Sequence, residues 1–159
     1  MLSDILQQEF ADLSDWQTLV RIAVRLAAAA LAGALIGYQR QKVGKDAGLR
    51  THMLVTIGAA LFVIVPVTQD TTASDMSRVI QGIVTGIGFL GGGAILKLAH
   101  DKEIHGLTTA AGIWLAAAIG IAAGFGRLGT VLLGTLFALA ILSTLARVED
   151  GIKSKDAPG

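Results

Sequence analysis

A chain of 159 residues with 53% hydrophobic and only 16% charged residues, and a mean hydropathy of +0.65, is too apolar for an ordinary soluble domain, which carries about 25% charged residues. The excess lies in aliphatic side chains and 20 glycines, with aromatics at 5%, the mixture that lets helices approach closely in lipid. The absence of Cys excludes disulfides, thiolate metal sites and cysteine nucleophiles, and a net charge of +1 gives no electrostatic case for nucleic acid.

The chain opens on an arm, residues 1–18. In Met1–Trp16, Leu2, Ile5, Leu6, Phe10, Leu13 and Trp16 recur at spacings of three and four between acidic and Gln residues, which predicts an amphipathic helix. It lies on the outer leaflet with Trp16 at the interface, or packs on the outer ends of the bundle; both readings stay open. No basic leader or small-residue cleavage site marks a signal peptide, so the first apolar run is expected to be retained.

Residues 19–146 hold five windows long enough for a hydrocarbon core of roughly 30 Å. They are Leu19–Tyr38, Thr51–Val67, Val79–Leu98, Leu107–Phe125 and Leu128–Ala146. Pro66 sits near the end of the second, and only Gly126 and Arg127 separate the last two, which demands a tight hairpin. None of the windows contains Asp or Glu. The predicted fold is therefore all-α, a polytopic transmembrane helical bundle, because runs this long and uniform do not suit barrel strands. Residues 147–159 are expected to form a short disordered tail.

The charges predict an orientation. Arg40, Lys42, Lys45 and Arg50 follow the first span, Lys97 and Lys102 the third, and Arg147, Lys153 and Lys155 the fifth, against Arg78 and Arg127 in the alternate loops. The N-terminal arm and the loop Thr68–Arg78 are acidic by comparison. By the positive-inside rule the N-terminus is expected outside and the C-terminus in the cytoplasm.

Glycine is concentrated in the third span. Gly82, Gly86, Gly88, Gly91, Gly92 and Gly93 are six of the twelve residues of GIVTGIGFLGGG, and spacings of four recur at Gly33/Gly37 and Gly120/Gly124. One reading is close helix contact through small residues, at Gly33, Gly37, Gly82, Gly86, Gly88, Gly91, Gly92, Gly120 and Gly124. The other is that Gly91–Gly93 break the third helix and expose carbonyls to a cation. Gly48-Leu49-Arg50-Thr51 and Gly106-Leu107-Thr108-Thr109 stand 58 residues apart, as do Gly33 and Gly91, so a parallel repeat competes with chance similarity.

Few polar residues are placed to carry chemistry. Arg21 and Arg25 share a face at the start of the first span; Arg21 is expected to snorkel, and Arg25 to find a hydroxyl, a backbone carbonyl or a loop Asp. Near the other ends lie Gln39, Arg40, Arg50, Thr51 and His52, with His100, His105, Thr108 and Thr109. They form either one polar patch or a set of solvated anchors. As a metal site the set is weak, for magnesium prefers carboxylate oxygens, and no catalytic or phosphate-binding motif is present. No cofactor is expected and an enzyme is disfavoured; the metal question stays open.

The strings LAGALIGYQRQKVGKDAGLRTHMLVTIGAALF, GIVTGIGFLGGGAIL and HGLTTAAGIWLAAAIG closely resemble the MgtC/SapB family of bacterial inner-membrane proteins. The matched positions are Arg25, Gly37, Arg40, Gly48, Leu49, Arg50, Thr51, His52, Gly86, Gly88, Phe89, Gly91, Thr108, Thr109 and Trp114, across about Arg25 to Phe125. The resemblance implies a role in growth at low magnesium and, in pathogens, in survival inside macrophages. It also implies a modulator of other membrane machines, F-type ATP synthase among them, and not a magnesium carrier. Homo-oligomers are expected. Two departures stand out: Gln39 occupies a position where the family usually has Glu, and 13 residues follow Ala146 where many members continue into a soluble domain.

Overall fold

The computed structural model describes Ile5, Phe10 and residues 15–69, 71–97 and 104–145. Most of the predicted amphipathic arm, His100 and the tail lie outside those residues. The first helix, α1, spans Trp16–Lys42, and Asp15 caps it by accepting from the backbone N–H groups of Gln17 and Thr18. Trp16, 73% exposed, therefore begins the membrane helix itself. Helix α2 spans Leu49–Val67 and carries Pro66 one residue before its end, where the missing N–H removes one backbone bond of the last turn.

Helix α3 spans Ala73–Gly93. It starts inside the expected loop Thr68–Arg78 because Thr72 and Asp75 cap it reciprocally. The Thr72 hydroxyl accepts from the Asp75 backbone N–H at 3.2 Å and donates to its carboxylate at 2.6 Å. That hydrogen bond first, and Arg78 second, hold the Asp75 carboxyl below its ordinary pKa.

At the other end the structure corrects the expected boundary at Leu98. The helix runs unbroken through Gly91 and Gly92 and stops at Gly93, after which Leu96–Lys97 (β1) pairs antiparallel with Ile104–His105 (β2). Three successive glycines weaken the helix there. Gly106, with φ +91°, lets the returning chain press against the Ala94 carbonyl where a Cβ would collide. Helix α4, Leu107–Gly124, and helix α5, Leu128–Ala140, are joined across Gly126 at φ +73°. A π-helical turn, Ile141–Leu145, prolongs α5.

Helices α1, α2 and α4 are long and apolar enough to cross a membrane; α5 is apolar and shorter. The first three also make the tight part of the bundle. A Cβ on Gly33 would stand 2.7 Å from the His52 carbonyl and 2.8 Å from Met53 Cα, and one on Gly37 would stand 2.7 Å from Leu49 Cα. From the opposite side, a Cβ on Gly120 would meet the Thr56 carbonyl, and one on Gly124 would stand 2.8 Å from that of Ala60. Thus α2 is clamped between glycines of α1 and α4, with Ala29, Ala32, Ile36, Ala60, Ile64, Ile119 and Ala123 closing the apolar core around it.

The pairing of α3 with α4 repeats that of α1 with α2 more loosely. Gly91 faces Ala110 at 3.8 Å, and these are the positions 58 residues beyond Gly33 and His52. Of the helix-packing candidates, Gly33, Gly37, Gly120 and Gly124 therefore make backbone-close contacts and Gly91 an ordinary one. At Gly82, Gly86, Gly88 and Gly92 nothing lies within 4 Å of where a Cβ would be; Gly82 and Gly86 border an open groove towards α2.

Candidate functional site

At the end of the bundle where α1 finishes and α2 and α4 begin, two polar side chains are deeply buried. Arg40 is 3% exposed and His52 is 0% exposed. Arg40 reaches α4, where its Nη2 donates to Thr109 Oγ1 at 3.0 Å. The His52 Nδ1 lies 3.0 Å from the Gly48 carbonyl one turn earlier. A carbonyl only accepts, so this bond assigns a proton to Nδ1. That Nε2 faces α4 as well, with the Cβ position of Gly112 3.5 Å away. Thr109 and Gly112 are one turn apart on α4, so both side chains are aimed at the same stretch of that helix.

Neither side chain is saturated. Arg40 Nε and His52 Nε2 are buried without a hydrogen-bond partner, as is Gln39 Oε1. No carboxylate among the described residues pairs with Arg40; the ion pair observed there is Arg78 with Asp75, at 2.7 Å on the surface. No group of three His, Cys, Asp or Glu side chains suited to a metal ion occurs among the described residues. The site is thus a guanidinium and an imidazole set into an apolar bundle, where the guanidinium charge repels cations.

The remaining polar candidates divide. Thr51 is half-buried at the start of α2, while Arg50 and Thr108 are exposed on α2 and α4. Arg25 sits fifteen residues before Arg40, roughly 22 Å along α1. Its Nη1 donates to the Gly124 carbonyl at 3.0 Å, and its guanidinium lies against Gly126. It finds a backbone carbonyl, and it clamps the hairpin between α4 and α5.

Gln39 has a role that its spacing does not reveal. Its Nε2 donates to the Leu142 carbonyl at 2.8 Å, within the π-helical turn, where the wider winding changes the backbone pairing. A carboxylate at this position could not make that bond while ionised. Gln therefore ties α1 to the end of α5 in a way that Glu would not.

A second feature lies between α2 and α3. Leu54, Gly58 and Phe62 on one wall and Val79, Gly82 and Gly86 on the other line an apolar groove of about 600 Å³. The helical period places Gly88 and Gly92, together with Gln81 and Thr85, on the side of α3 away from that groove.

The model of the MgtC family matches residues 26–150. Among curated relatives, Protein SrpB of Synechococcus elongatus is 41% identical over 151 residues, covering 88% of this chain and 81% of its own length. The "Putative magnesium transporter YhiD" of Escherichia coli K12 is 40% identical over 140 residues, covering 84% of this chain and 64% of its own length. Protein MgtC of Brucella abortus is 42% identical over 130 residues, covering 82% of this chain and 53% of its own length. The chain thus spans little more than half of the last. No solved structure matches.

Proposed function

Because the chain belongs to the MgtC family of membrane proteins, we propose that it serves adaptation to low magnesium or virulence-type stress by modulating other membrane proteins through helix packing. In this reading it is a non-enzymatic, five-span protein of the bacterial inner membrane with its N-terminus outside. It forms homo-oligomers, and its targets include membrane machines of the F-type ATP synthase kind.

One observation carries the reading. The glycines of α1 and α4 are consumed by contacts within the chain, whereas at Gly88 and Gly92 no atom lies within 4 Å of where a Cβ would be. Glycine gives a helix nothing against lipid tails and about 1 kcal/mol less helix preference than Ala, but four-residue glycine spacing lets a second helix come to backbone distance. The test is Gly88→Leu and Gly92→Leu in the full chain, with particle mass and co-purifying membrane proteins measured in mild detergent. Loss of the higher-mass species or of the partner is expected. Assembly unchanged in both variants would overturn the proposal.

The alternative, a small magnesium transporter or channel, is favoured by the name of the Escherichia coli relative. The buried Arg40 without a carboxylate partner among the described residues weighs against a cation path at that end. Proteoliposomes loaded with a magnesium-sensitive dye decide it, since a transporter must give flux above empty vesicles.

A further inference from the structure

The groove between α2 and α3 is separate from the Gly88 and Gly92 face, and it ends on a charge. Along α2, Arg50 stands one turn before Leu54 on the stripe that continues through Gly58 and Phe62. Arg50 is exposed, and no carboxylate among the described residues pairs with it. Helix α2 starts at Leu49, whose backbone N–H donates to Gln41 Oε1 at 3.3 Å, and the partial positive charge of the remaining N-terminal N–H groups adds to that of Arg50. At the opposite end of the groove, Arg78 is already neutralised by Asp75 at 2.7 Å. Among the described residues, positive charge without a partner carboxylate is therefore offered at one mouth.

We propose that this groove holds one acyl chain of an anionic phospholipid, with the lipid phosphate on Arg50. The space begins at the backbone, since no atom lies within 4 Å of the Cβ positions of Gly58, Gly82 and Gly86. Its wall on α3, from Val79 to Leu90, rises roughly 16 Å, which is about one leaflet of a hydrocarbon core of roughly 30 Å. A volume of about 600 Å³ over that length accommodates an extended hydrocarbon chain lying along the groove. The charge at the mouth then selects among lipids, because an Arg at a membrane surface attracts anionic headgroups.

The test is native mass spectrometry of the full chain in detergent, with dioleoylphosphatidylglycerol and dioleoylphosphatidylcholine added separately. The expected result is retention of one phosphatidylglycerol per chain in preference to phosphatidylcholine. Arg50→Gln weakens phosphatidylglycerol binding about fivefold and abolishes the preference. Gly86→Leu fills the groove and removes both lipids, while Arg78→Gln changes neither. Equal retention of the two lipids by the unaltered chain would overturn the proposal. So would an Arg50→Gln variant that still prefers phosphatidylglycerol, or an Arg78→Gln effect as large as that of Arg50→Gln. If Gly86→Leu alters the number of chains per particle and leaves the lipid count unchanged, the groove is a protein interface and the lipid assignment fails. Arg50 is an exposed side chain, so its variant reports binding even if Gly86→Leu does not fold.

Discussion

Arg40 and Thr109 join α1 to α4 through a single bond of 3.0 Å between a guanidinium and a hydroxyl. The buried charge at this end of the bundle is thus held by a neutral acceptor. Thr109→Val keeps the shape and deletes the acceptor, leaving Arg40 buried with a further unpaired nitrogen. The expected loss is about 1.5–3 kcal/mol, typical of a hydrogen bond to a charged group. It is read by thermal unfolding in detergent, and Thr109→Ser should recover most of it.

The two classes of glycine should respond oppositely to one methyl group. In Gly120→Ala the new Cβ meets the Thr56 carbonyl and stands 2.9 Å from Ala59 Cβ, so α2 and α4 must separate at an expected cost of about 1–3 kcal/mol. In Gly88→Ala the methyl meets nothing within 4 Å, and the greater helix preference of Ala should raise stability by about 0.5–1 kcal/mol. The same unfolding assay on both variants checks the contrast.

Gln39→Glu replaces the donor to the Leu142 carbonyl with an acceptor. At neutral pH two oxygens then face each other, and the expected destabilisation is about 1–3 kcal/mol. The deficit should shrink as pH falls, because a protonated carboxyl can again donate. A deficit that grows on acidification would show that this side chain does not serve the π-helical turn.

Asp75 gives α3 a pH dependence of a known sign. Its hydrogen bonds to Thr72 and Arg78 hold its pKa in the folded chain below the ordinary 3.8. Its contribution is therefore complete above the unfolded value and is lost as pH falls through the folded one. Amide hydrogen exchange in the first turn of α3 should be flat above about pH 5 and lose protection in strong acid. Asp75→Asn should remove that acid step.

The apolar windows locate the helices well because length and hydropathy are local properties. Trp16–Lys42, Leu49–Val67 and Leu107–Gly124 each coincide with an expected span to within a few residues. The stop at Gly93 was less legible, since hydropathy continues through Ile95 and Leu96 while the Gly106 turn against Ala94 depends on residues distant in sequence. The start of α3 did carry a local signal, the Thr72 and Asp75 spacing. Glycine spacing could not separate Gly33 and Gly120 from Gly88 and Gly92, because a four-residue repeat looks the same against a neighbour as against lipid. Arg40, His52 and Thr109 lie among the polar residues at the helix ends, but their convergence, and the departure of Arg50 and Thr108 from it, depend on how the helices are rotated.

Thr56 touches Gly33 through its hydroxyl and Gly120 through its carbonyl, so α2 cannot slide past either neighbour without a backbone collision. Helix α3, by contrast, buries only Met76 and Gly91. Three helices are consequently interlocked at backbone distance, whereas α3 is joined to them through few buried side chains.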